Sequence, residues 1–89
     1  MRSKTKTWQL IHDILLNEWD PIGVSEFSEA SDEYDSYIND ILVLLSDKAS
    51  EEQFFQFLWT VETEHMGLPG DQHLTQKIAL RLSGLKISQ

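Results

Sequence analysis

The side chains with chemistry to offer are three histidines, His12, His65 and His73, set among fifteen carboxylates. Glu62 and His65 stand three residues apart, which puts a carboxylate and an imidazole on one helical face, the spacing used in carboxylate-bridged metal bundles. Such a centre needs a second copy of the motif and further glutamates on facing helices, and the sequence has a single copy. The expectation is therefore no metal, with His65 at a helix end interacting with Glu62 or with the helix dipole. Asp32, Glu33 and Asp35 suggest calcium, but a calcium loop needs alternating ligands, a central glycine and a distal glutamate. No glycine lies between Gly23 and Gly67. A glycine-rich phosphate loop, a cysteine nucleophile and a Ser-His-Asp spacing are also missing. The reading is of a protein that binds rather than catalyses, with no cofactor.

The charge is informative because of where it falls. The chain carries a net charge of −8, and no Lys or Arg occurs between Lys6 and Lys48. Ten carboxylates occupy that interval, from Asp13 to Asp47. A basic face is what nucleic acid and anionic membrane require, so neither is expected as a direct partner. A basic protein is the complementary one. The residues singled out to meet it are Glu26, Glu29, Asp32, Glu33 and Asp35. Solubility and ordinary helix-start electrostatics explain the same residues without a partner. Tyr34 and Tyr37 have the chemistry of interface anchors, but their spacing matches a core stripe, and Trp19 reads as core as well.

Four helices have to position these groups. Trp8, Ile11, Ile14, Leu15 and Trp19 follow a helical period from Ser3–Thr7 to Trp19, with Leu10 and Leu16 widening the apolar face. Asp20-Pro21-Ile22-Gly23 stops that helix with the residue preferences of a type I turn. Val24 to Ala30 reads as an irregular connector tacked down by Val24 and Phe27. Ser31 then caps a second helix whose stripe is Tyr34, Tyr37, Ile38, Ile41, Leu42 and Leu45. With Val43 and Leu44 added, composition makes this helix the most buried one and the centre of the bundle.

Ser50-Glu51-Glu52-Gln53 is a capping box announcing a third helix, with Phe54, Phe57, Leu58 and Val61 inward and Phe55 and Trp59 to one side. Gly67, backed by Leu68-Pro69-Gly70, ends it. Asp71 caps a fourth helix carrying Leu74, Ile78, Ala79, Leu82 and Leu85, with Lys77, Arg81 and Lys86 toward its C-terminal half. The architecture is all-α, a compact four-helix domain spanning residues 1–89.

Eighty-nine residues supply apolar surface for one core. Without cysteine there are neither disulfides nor thiolate metal sites. Met1 to Lys6 is basic like the start of a signal peptide, but no continuous apolar run follows, and no segment approaches the ~20 apolar residues of a membrane span. These features point to a soluble, cytoplasmic protein. The Phe- and Trp-rich third helix could also form a homodimer face.

Trp19-Asp20-Pro21-Ile22-Gly23, followed by Asp32-Glu33-Tyr34-Asp35-Ser36-Tyr37-Ile38 and a Met66-Gly67-Leu68 stop, resembles a family of short acidic helical bacterial proteins. Some of these are similar to immunity proteins of contact-dependent growth inhibition and related toxin systems. The resemblance spans Ile11 to Leu85 and brings no catalytic residue with it. It implies a cytoplasmic antitoxin that binds a cognate toxin domain, often a nuclease, and blocks its active site or its partner contacts. A housekeeping interaction or regulatory protein with no toxin partner is the alternative within the same resemblance.

Overall fold

The computed structural model describes residues 6–21, 23 and 34–85. Their regular structure is entirely helical, and the four expected helices are present. Helix α1 (Lys6–Asp13) runs on into a π-helical turn (Ile14–Trp19), and a 3-10 turn (Asp35–Tyr37) leads into α2 (Ile38–Ser46). Helix α3 (Glu51–Thr60) also runs on into a π-helical turn (Val61–His65), and α4 (Gln72–Ser83) follows. The radius of gyration, 12.5 Å, matches the roughly 12 Å of a folded chain of this length.

The helical period of α1 buries Ile11, Ile14, Leu15 and Trp19, as the spacing predicts. Two positions differ. Leu10 is 46% exposed, and Thr7, one turn before Ile11, takes the buried place on that face. The last turn is also wider than an α-helix, closed by the Asp20 N–H donating to the Leu15 carbonyl at 2.8 Å. Asp20 adopts a left-handed conformation, φ 34° and ψ 57°. From it the Gly23 N–H reaches back to the Asp20 carbonyl at 3.1 Å. The helix therefore stops where the Asp-Pro-x-Gly sequence places the stop.

The second helix departs most from expectation. Ser31, Asp32 and Glu33, as well as Val24 and Phe27, lie outside the described residues. Tyr34 sits in a turn ahead of the 3-10 segment, not in the helical stripe, yet it is buried. Composition makes α2 the centre of the bundle, and it is not: only Ile38 and Ile41 are fully buried, Leu42, Leu44 and Leu45 are half-buried, and Val43 is 57% exposed. The reason is geometric. A helix that is apolar nearly all round buries its whole surface only with neighbours on every side, and the most extensive pairing in the fold is between α3 and α4. Helix α4 is far more polar and still buries Thr75, Ile78, Ala79 and Leu82, because its apolar residues keep to one face.

The boundaries of α3 and α4 follow the capping chemistry in the sequence. Ser50 accepts from the Gln53 N–H at 3.2 Å, and the Gln53 side chain accepts from the Ser50 N–H at 2.9 Å. Phe54, Leu58 and Val61 enter the core, each fully buried side chain of this size contributing about 1.5–3 kcal/mol. Phe55 and Trp59 stack on the flank, with ring centroids 5.6 Å apart. The π-helical turn ends with the Met66 N–H on the Val61 carbonyl and the Leu68 N–H on the Glu62 carbonyl, and Gly67 turns the chain with φ +69°. Gly70 has φ +85°, and a Cβ there would lie 2.6 Å from the Trp59 ring, so the connection closes against that indole. Asp71 then caps α4, accepting from the Leu74 N–H at 3.1 Å. The buried apolar residues of all four helices, with Tyr34, form one cluster. Among the described residues no helix is long and apolar enough to cross a membrane.

Candidate functional site

Of the five carboxylates singled out as partner-binding, Glu26, Glu29, Asp32 and Glu33 lie outside the described residues. Asp35 opens the 3-10 turn ahead of α2 with its side chain 30% exposed. Its Oδ1 stands 3.7 Å from Nε2 of His12, which α1 presents across the gap. The other ring nitrogen, Nδ1, is 3.1 Å from Oδ1 of Asp13. The imidazole also stacks on Trp8, one helical turn earlier, with centroids 5.4 Å apart and planes 15° from parallel. Gln9 donates to Asp13 from the same turn at 3.2 Å.

The outcome is an aromatic and imidazole platform rimmed by two carboxylates from different elements. Asp13 is 53% exposed and faces solvent more than Asp35 does. Carboxylate oxygens accept hydrogen bonds, and Asp or Glu beside an aromatic face suits a cationic side chain. The charge pattern alone did not single out Trp8 and His12 as part of this edge. The four-residue spacing of Trp8 and His12 is the signal that links them, because side chains four apart on a helix are neighbours.

A second cluster lies in the interior. Trp19, at the end of the first π-helical turn, donates from Nε1 to the Thr75 hydroxyl at 3.4 Å. Thr75 in turn donates to Oε1 of Glu62 at 2.5 Å, and Oε2 of Glu62 accepts the Asp71 N–H at 3.1 Å. Glu62 is therefore not the partner of His65. It lies in the second π-helical turn, is buried, and faces α4, whereas His65 is exposed. The wider turn and the adjoining N-terminus of α4 give the carboxylate two donors in the interior, which the i, i+3 spacing along one helix could not disclose.

Tyr34 joins this interior to the Asp-Pro turn. Its hydroxyl donates to Oδ1 of Asp20 at 2.7 Å, and its ring lies 5.8 Å from that of Trp19. Both residues are almost wholly buried. The sequence expectation that Tyr34 and Trp19 serve the core, with the hydroxyl reaching a polar edge, describes what is seen. Tyr37 is half-buried and meets Phe57 edge-on at 6.4 Å.

On the surface, Arg81 forms a two-pronged ion pair with Glu18, both contacts 3.2 Å. The hydrogen bond to Glu18 and its negative charge hold the guanidinium pKa above its ordinary value. Among the described residues no group of three or more His, Asp or Glu side chains is arranged to hold a metal ion. A small open hollow is lined by Leu45, Lys48, Ala49, Phe54, Ser83 and Leu85, and it contains no carboxylate. The arrangement thus divides into an exposed acidic edge suited to contact and a buried polar junction suited to holding helices together. No family model, curated protein or solved structure matches this chain.

Proposed function

We propose that the protein is an immunity protein, a cytoplasmic antitoxin that binds a cognate bacterial toxin domain and neutralises it through an acidic surface. A single observation carries the reading: the run from residue 7 to residue 47 has ten carboxylates and neither Lys nor Arg. A nuclease toxin must expose a basic surface to hold phosphates. A protein with this charge distribution can occupy such a surface, and complementary charge supplies both steering and selectivity. The edge at Asp13 and Asp35, with Trp8 and His12 behind it, supports the reading by offering acceptors and an aromatic face to cationic side chains. No reaction and no cofactor are required, and binding is the whole activity.

The test is capture of the toxin encoded beside this protein, at low salt and through a series of rising salt washes. A basic toxin domain retained at low salt, released as salt rises and inhibited in its nuclease assay is the expected result. The combined variant Asp32→Lys, Glu33→Lys and Asp35→Lys should weaken that association at least tenfold and flatten its salt dependence, with helicity by circular dichroism unchanged. Undiminished binding by the triple variant would remove this segment from the interface. Retention of nothing, or only of further copies of the protein, would overturn the immunity reading.

A further inference from the structure

We propose that a buried hydrogen-bonded chain couples the start of the second helix to the connection between α3 and α4, so that loosening either end loosens the other. The links run Tyr34 Oη to Asp20, Trp19 Nε1 to Thr75, Thr75 Oγ1 to Glu62, and Asp71 N–H to Glu62. Asp20 and Trp19 are adjacent in the chain and the Trp19 ring lies against that of Tyr34, so the path crosses from one side of the fold to the other without a gap. Asp71, at its far end, is the N-cap of α4.

Burial is what makes this chain a coupling device. Trp19 is 2% exposed, Tyr34 2%, Thr75 0% and Glu62 4%. Water cannot replace a lost partner at such depth, so breaking one link leaves an orphaned polar atom whose neighbours must shift to satisfy it. Among the described residues every buried side-chain nitrogen and oxygen has a partner. The two ends are also discrete local structures: the Asp20–Gly23 turn with the Tyr34–Tyr37 turn, and the capped start of α4. A disturbance at Tyr34 therefore reaches Asp71 through bonds, whereas the exposed pair Arg81 and Glu18 lies outside the path. This inference does not depend on what the protein binds.

A double-mutant cycle on the full chain tests it. Tyr34→Phe and Thr75→Val each remove a hydroxyl, and the unfolding equilibrium constant of the double variant should differ at least about fivefold from the product of the single effects, well outside the additivity of independent sites. The control pair Tyr34→Phe and Ser50→Ala, with Ser50 in the α3 capping box and off the path, should be additive within about twofold. Additivity of the Tyr34 and Thr75 variants within that same margin overturns the proposal. If Tyr34→Phe does not fold, amide exchange in the Thr75 variants decides. The Gly23 and Tyr37 amides, bonded to the Asp20 and Tyr34 carbonyls, should exchange faster in Thr75→Val and at the wild-type rate in Thr75→Ser, which keeps the hydroxyl. Equal exchange in wild type, Thr75→Val and Thr75→Ser overturns it.

Discussion

The protein contains two assemblies of the same ingredients, a tryptophan, a polar middle residue and a carboxylate. In one, Trp19, Thr75 and Glu62 are buried and joined donor to acceptor. In the other, Trp8 stacks on His12, and His12 lies between Asp13 and Asp35 at an exposed edge. The difference lies in access to water. In the interior each polar atom has one arrangement that satisfies it, so the group becomes a constraint on helix placement. At the edge, solvent offers alternatives to every contact, so the same chemistry holds little of the fold and stays available to a partner.

The largest effect should come from emptying the interior assembly. Glu62→Ala leaves the Thr75 hydroxyl and the Asp71 N–H without their acceptor and opens a void, and should cost about 3 kcal/mol in chemical denaturation. A loss comparable to that of Asp35→Asn would erase the contrast. Gly70→Ala tests the connection beside it. The new Cβ would press on the Trp59 ring at a positive φ, costing about 2 kcal/mol, readable as a lowered melting temperature. Thr75→Val keeps shape and volume while removing one hydroxyl from the junction, and should cost about 1.5 kcal/mol by the same denaturation measurement. Asp35→Asn removes a charge from the exposed edge and should change stability by less than about 0.5 kcal/mol. Its effect belongs in partner affinity, measured by titration calorimetry at low and high salt.

Local chemistry was legible in the sequence, and long-range geometry was not. The Ser50 capping box, the Asp71 cap and the Gly67 stop each depend on residues within a few positions of one another, and all three stand where the sequence puts them. The burial of α2 depends on which neighbours cover it. Composition states how apolar Leu42 to Leu45 are, but not that only one side of the helix would be packed, leaving Val43 outward. Glu62 fails as a sequence reading for a related reason. Its nearest candidate along the helix is His65, yet its partners come from nine and thirteen residues onward. The π-helical turns that aim Trp19 and Glu62 toward Thr75 carry no residue signature that helical periodicity registers. Of the acidic site, the sequence identified Asp35 and left unremarked the His12 and Trp8 pair beside it.

The π-helical turn at Ile14–Trp19 has a consequence for insertions and deletions. Such a turn holds one residue more than an α-helix accommodates, so it works as a register spacer between the face set by Ile11 and the direction of Trp19. Deleting the exposed Asn17 would let the segment relax to regular α-helix at little backbone cost. It would also rotate everything after it by about 100°, the angle of one α-helical residue. Trp19 would then point away from Thr75, and Asp20 away from Tyr34. The length of this helix is thus under tighter constraint than the identity of most of its surface residues: Asn17 can be exchanged for many side chains but not removed.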